Sequence, residues 1–166
     1  MSPSLSPSIS PSISVSPSIS ISPSASPSPS PGWENYTRGD YAVLPIDDTN
    51  LEVNYSTQDY LDVNADDTTW VDQVATEENM IHQFKDYVGN KKSCILKWKG
   101  KTTLQPSLST VYLQIYNKVT HQWDTVDSDN TSNANTDFIL TIIILDLTDY
   151  KDASNVISCR VYQLAI

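Results

Sequence analysis

Serine stands at every even position from Ser2 to Ser30, and eight prolines fall among the odd positions from Pro3 to Pro31. These are the residues of the chain best suited to a covalent chemistry. A run of hydroxyls beside proline, with no charge among them, is a favourable track for O-linked sugars. Ser4, Ser8, Ser12, Ser18, Ser24, Ser26, Ser28 and Ser30 are the candidate acceptors. Sugars there would solvate a long extended backbone and shield it from proteases. Asn35-Tyr36-Thr37, Asn54-Tyr55-Ser56 and Asn130-Thr131-Ser132 spell three N-linked sequons, so Asn35, Asn54 and Asn130 are further acceptors.

Other reactive groups are sparse. His82 lies in a strand-like stretch and His121 in a turn, with four glycines in the chain. That excludes a nucleophile elbow, a metal-binding histidine pair and a phosphate-cradling loop, and no enzyme activity or cofactor is expected. Asp47-Asp48, Asp66-Asp67 and Asp127/Asp129 are the carboxylate pairs any acidic loop produces. Asn64-Ala65-Asp66-Asp67 and Asp127-Ser128-Asp129-Asn130 offer oxygen ligands for a structural calcium ion, but neither completes a loop motif. Arg38-Gly39-Asp40 spells an integrin tripeptide, which reads most simply as a turn. Cys94 and Cys159 are the only cysteines. Two readings stand for them: a disulfide, worth roughly 4 kcal/mol in an oxidising compartment, or two buried thiols that never meet.

The tail that carries the serines has its own geometry. Its odd positions that are not proline are apolar: Leu5, Ile9, Ile13, Val15, Ile19, Ile21 and Ala25. An extended chain points successive side chains to opposite faces, so one face is hydroxyl and the other apolar. Backbone N–H groups alternate between the two edges in the same way. Every proline is odd-numbered, so one edge loses donors and the serine edge keeps them all. A solvated Ser/Pro stalk is the plainer reading; a strand waiting for a sheet is the sharper one. Extended, 31 residues span roughly 100 Å, more than twice the width of a compact domain of the remaining size. The tail therefore projects as a stalk or lies on neighbouring copies, with Ile9, Ile13, Val15, Ile19 and Ile21 as its docking side chains.

Residues 32–166 read as a second unit, one domain with one core. All the charge is there, a net −10, which argues against nucleic acid as a partner. No apolar run is long enough for a membrane span. A secretory leader pattern is also missing, so either a signal has been removed or Met1 is not the start of the precursor. The periodicity predicts strands at Tyr41–Leu44, Asn50–Tyr55, Trp70–Val74, Met80–Val88, Ser93–Lys101, Val111–Asn117, Gln122–Val126, Phe138–Leu145 and Val156–Leu164, and no helix beyond a turn. The fold class is all-β: a single β-sandwich, jelly-roll or Ig-like, preceded by the extended tail. Phe138–Leu145 is apolar on both faces, so a local loop, the 32–41 segment or a neighbouring subunit must cover Ile139 and Ile143.

Lys97-Trp98-Lys99-Gly100-Lys101, Val111–Asn117, Trp123, Asp127-Ser128-Asp129, Asn135–Phe138 and Arg160-Val161-Tyr162-Gln163 resemble a β-sandwich module of surface proteins of environmental bacteria, related in architecture to carbohydrate-binding modules. The resemblance implies a sandwich fold and an extracellular or cell-surface location, and no activity. The whole layout is similar to subunits of glycan-coated filaments and of pili built by donor-strand exchange. Ser26–Pro31 is similar to arabinogalactan-type glycomodules, which implies that Pro27 and Pro29 are hydroxylated and sugar-bearing. Two functions follow. The chain is the protomer of a helical homo-oligomeric filament joined by its tail, or it is a stalked carbohydrate-binding or adhesive module that stacks Tyr112, Tyr116, Trp123 or Trp70 on sugar rings.

Overall fold

A computed structural model describes residues 34–65, 69–74 and 79–164. The tail sites from Ser4 to Ser30, with Ile9, Ile13, Val15, Ile19, Ile21, Pro27 and Pro29, lie outside the described residues, as do Asp66 and Asp67. The described chain is mostly antiparallel strand with one short helix. In order it runs β1 (Asn35–Tyr41), β2 (Val53–Asn54), α1 (Thr57–Ala65), β3 (Asn79–Tyr87), β4 (Cys94–Gly100), β5 (Val111–Asn117), β6 (Gln122–Asp129), β7 (Phe138–Ile144) and β8 (Val156–Leu164). One sheet has the order β2-β1-β3-β8-β5-β6, and β4 pairs β7 in a second sheet of two strands.

The period-2 pattern sets which faces meet. Phe84 of β3, Val111, Leu113 and Ile115 of β5, and Ile157, Cys159 and Val161 of β8 point to one side of the large sheet. There they meet Leu96 and Trp98 of β4 and Phe138, Leu140, Ile142 and Ile144 of β7 in two apolar clusters. The inward residues predicted for β5, Val111, Leu113 and Ile115, are buried, and those predicted for β4, Cys94, Leu96 and Trp98, are half-buried. Trp98 folds its ring over Gly100, where a Cβ would lie 2.2 Å from ring carbons, so only glycine fits beneath it.

The opposite face of the large sheet departs from expectation. Its polar residues are not solvated. Thr37, Gln83, Gln114, Ser158 and Arg160 are all buried, beneath the segment 42–51. That segment offers backbone carbonyls to them: Gln83 Nε2 donates to Asp48 O (3.1 Å) and Thr49 O (3.0 Å), and Arg160 donates to Pro45 O (2.7 Å). The Asp48 carboxylate accepts from Ser158 Oγ and from Lys118 Nζ (2.5 Å), and Leu51 N donates to Thr37 Oγ1 (3.1 Å). The segment therefore works as a strap. It satisfies a buried polar layer instead of adding a strand, which is why the predicted strands at Tyr41–Leu44 and Asn50–Tyr55 shrink to the end of β1 and the two residues of β2.

Three further corrections arise near the start. Arg38-Gly39-Asp40 is not a turn; it sits inside β1, paired to His82, Ile81 and Met80. Residues 69–74 form no strand. The helix α1 buries no residue fully, so no apolar periodicity announces it. Its signal is a capping box: Ser56 Oγ accepts from Asp59 N (3.1 Å), and Asp59 Oδ2 accepts from Ser56 N (2.7 Å).

Candidate assembly groove

The two-stranded sheet is narrower than the sheet it faces. Its β7 side lies near β6, where Thr141 N donates to Asp127 Oδ2 (2.7 Å). Its β4 side borders a groove that residues 62–64 of α1 and residues 69–74 also line, with Trp70 against Lys99 and Lys101. This groove, of about 980 Å³, runs between β4 and the β1–β3 half of the large sheet. Tyr36, Tyr55, His82 and Phe84 line one wall, and Leu96 and Trp98 the other. Tyr36, Tyr55 and Phe84 pack edge to face, with centroids 5.1–6.2 Å apart, so that wall is a fixed aromatic surface.

Backbone polarity at β4 follows from β7. Since Thr141 N points to Asp127, it points away from β4. Lys97 is its register partner. In an antiparallel pair, residues that do not bond each other both turn their N–H and C=O outward. Ile95, Lys97 and Lys99 therefore aim their backbone groups away from β7, and their side chains lie on the outer face. Ile95 and Lys97 have no backbone hydrogen bond to another loop or strand among the described residues.

That outer face is apolar beside its lysines. Ile95 (67% exposed) lies opposite Ile143 (60%), with Ile139 (51%) and Leu145 (81%) along the same ridge. The expectation that the 32–41 segment covers Ile139 and Ile143 is corrected: its described part is β1, in the other sheet, and no described residue lies over them.

Among the described residues the groove lining carries Asp62, Asp72 and Asp86, the His82 imidazole, and Lys97, Lys99 and Lys101. Burial raises the pKa of Asp86, partly offset by the hydrogen bond from Tyr36 Oη (2.8 Å). Burial and the Asp86 charge raise Glu34 as well. An acid whose folded pKa is raised weakens the fold at neutral pH and ceases to do so as pH falls through that pKa. Asp86→Asn keeps an acceptor for Tyr36 and is expected to raise the melting temperature at pH 7. The gain should vanish in acid; a lower melting temperature at pH 7 would contradict this placement of the carboxylate.

The remaining predicted sites scatter. Asn54 is exposed on β2 and Asn130 is exposed just after β6, whereas Asn35 is half-buried and paired to Lys85. Cys94 and Cys159 are free thiols that belong to one apolar cluster, and burial raises both pKa values. His121 takes a left-handed turn conformation (φ 56°) after β5, and His82 is a half-buried groove residue. The oxygen-rich stretch at the end of β6 is committed internally. Asp129 accepts from Thr131 N (2.7 Å) and Ser132 N (3.0 Å), and Asp127 from Ser128 N (2.8 Å) and Thr141 N. Among the described residues no cluster of three or more His, Cys, Asp or Glu could hold a metal ion, and no helix is long and apolar enough to cross a membrane. The sequence reasoning missed the groove altogether, since it depends on where β4 stops being covered. The chain matches no family model, no curated protein and no solved structure.

Proposed function

We propose that this chain is the structural subunit of an extracellular, glycan-bearing filament. In this reading its two sheets are the halves of a β-sandwich, and its N-terminal tail joins neighbouring copies. The aromatic groove beside β4 carries the reading, because the same chain supplies an uncharged two-faced ribbon with one edge of intact N–H groups. Sugars on the serine face would coat the fibre, and the subunit has no catalytic task.

The alternative, a stalked carbohydrate-binding or adhesive module, needs free aromatic faces. Tyr116 is buried, and the Arg160 guanidinium lies 4.2 Å from the centroid of Trp123. Lys99 and Lys101 lie 5.9 and 5.2 Å from the Trp70 ring centroid. Tyr112 is stacked on Tyr162 with centroids 5.1 Å apart. The rings named for sugar stacking are thus engaged within the chain, which favours the filament.

The test compares the full chain with one lacking residues 2–31, by electron microscopy and sedimentation, with circular dichroism to check folding. The full chain should form fibres and the shortened chain should remain folded and monomeric. A full chain, sugars intact, that stays monomeric at high concentration rules the reading out.

A further inference from the structure

We propose that Arg160 and the strap form a binding site for a small organic carboxylate, with the carboxylate on the guanidinium and an apolar body against Leu44, Pro45 and Ile46. The site lies on the strap face of the large sheet, away from the groove beside β4, and stands whether or not the chain polymerises.

A guanidinium carries five N–H donors in a flat fork and accepts nothing. Among the described residues Arg160 commits two of them, Nε to Gln114 Oε1 (2.8 Å) and one from Nη1 to Pro45 O (2.7 Å). Three remain, two of them on Nη2. Arg160 is only 4% exposed, but among the described residues none of its nitrogens is a buried polar atom without a partner. The remaining donors therefore still reach solvent. They reach it in a depression of about 400 Å³ that Arg160 lines together with Leu44, Pro45, Ile46 and Trp123. Small-molecule sites run from about 300 to 1,000 Å³, so this one suits a single small ligand.

Charge points the same way. The chain carries 20 acidic residues against 10 basic ones, and none of the described acids is set against this buried cation. The two acids of the strap are committed elsewhere. Asp47 accepts from Thr49 N (3.0 Å) and Thr49 Oγ1 (2.7 Å), and Asp48 from Lys118 Nζ and Ser158 Oγ. Buried charges are normally paired, so the counter-charge here is left to come from outside. Arg160 is the only lysine or arginine among the described residues of the lining, which suits one negative charge better than a phosphate.

The site is also held ready. Trp123 Nε1 donates to Asp47 O (3.2 Å), and the guanidinium lies 4.2 Å from the centroid of its ring. That contact and the two hydrogen bonds fix the fork, so its free donors meet a planar carboxylate without reorganising. Ile46, 83% exposed at the rim, gives an apolar body a surface to cover.

The test titrates the full chain, labelled with nitrogen-15, with sodium benzoate and follows the Arg160 side-chain N–H signals. They should shift and saturate. Benzamide, the neutral isostere, and inorganic phosphate should each bind at least about tenfold more weakly. Ile46→Glu supplies a carboxylate from the rim itself and should weaken benzoate at least about tenfold. Val43→Glu, 78% exposed on the same strap and outside the lining, should leave the affinity within about twofold. Arg160→Lys keeps the charge and loses the fork, and should lose binding in a chain that circular dichroism shows to be folded; if it does not fold, Ile46→Glu decides. Arg160 signals that do not move, benzamide or phosphate that binds as tightly as benzoate, or a folded Arg160→Lys chain with full affinity overturns the carboxylate site. Equal losses in Ile46→Glu and Val43→Glu mean that overall charge sets the affinity, which overturns the placement.

Discussion

Arg160→Met is expected to destabilise the domain by roughly 2–4 kcal/mol, read as a lower urea midpoint at unchanged slope. Arg160 is buried in β8 and has no carboxylate partner among the described residues. Burial pulls its pKa down to about 10, so it remains protonated at pH 7. That shift corresponds to a desolvation cost of roughly 3 kcal/mol. Against it stand the bond from Nε to Gln114 Oε1 (2.8 Å), the bond from Nη1 to Pro45 O (2.7 Å) and the stack on Trp123. Charge-assisted bonds are worth about 1.5–3 kcal/mol each, and a desolvated cation–π contact about 2 kcal/mol. Methionine would recover the desolvation cost and keep the stem packing. It would also strand two buried acceptors at about 1–3 kcal/mol each. The stranded acceptors decide the sign. Because Pro45 belongs to the strap, the variant should also be cut faster by proteases within residues 42–50. A midpoint within about 0.5 kcal/mol of the parent would mean that the buried polar layer does not hold the strap.

The same layer marks where sequence reading stops. For β3, β4, β5, β7 and β8, apolar residues at period 2 meet a sheet face, and nothing competes with that signal. β8 carries Ser158, Arg160 and Tyr162 on its second face, which the alternation assigns to solvent. The strap overrides this, because backbone carbonyls can satisfy polar side chains as well as water does. No local pattern records that cover. Conversely, β7 reads as covered on both faces, yet Ile139 and Ile143 stand open among the described residues. A strand's own sequence reports what its faces prefer; the partner that meets them can lie elsewhere in the chain or on another copy.

The candidate site was half legible for a related reason. Proline parity in the tail is a property of consecutive residues, so the sequence alone gives its bonding edge and its apolar face. The groove is non-local. It needs β1 and β3 to build a wall from Tyr36 and Phe84. Lys97, Lys99 and Lys101 read as an ordinary solvated face. In the fold Lys99 and Lys101 lie over the Trp70 ring instead.

Acid should loosen the same wall. His82 has its pKa lowered to about 4, first by burial and then by the Arg38 guanidinium, with Asp59 acting the other way. Tyr55 Oη meets its Nδ1 at 2.5 Å, and Phe84 stacks on the ring with centroids 6.3 Å apart. The unfolded chain takes up a proton near pH 6.5, and the folded chain resists it down to about pH 4. The unfolded state therefore binds more protons across that window, and stability falls as pH falls through it, by up to about 1.4 kcal/mol per pH unit and roughly 3 kcal/mol in all. Asp86 and Glu34, with raised pKa values, oppose this in acid, so the whole-protein curve mixes the contributions. His82→Phe separates them. The variant loses the bond to Tyr55 at every pH but should show a shallower decline between pH 6.5 and pH 4 in urea titrations. Parallel curves for parent and variant would mean that the imidazole titrates as freely in the fold as in the open chain. That would place it in water, and not against Tyr55 and Phe84.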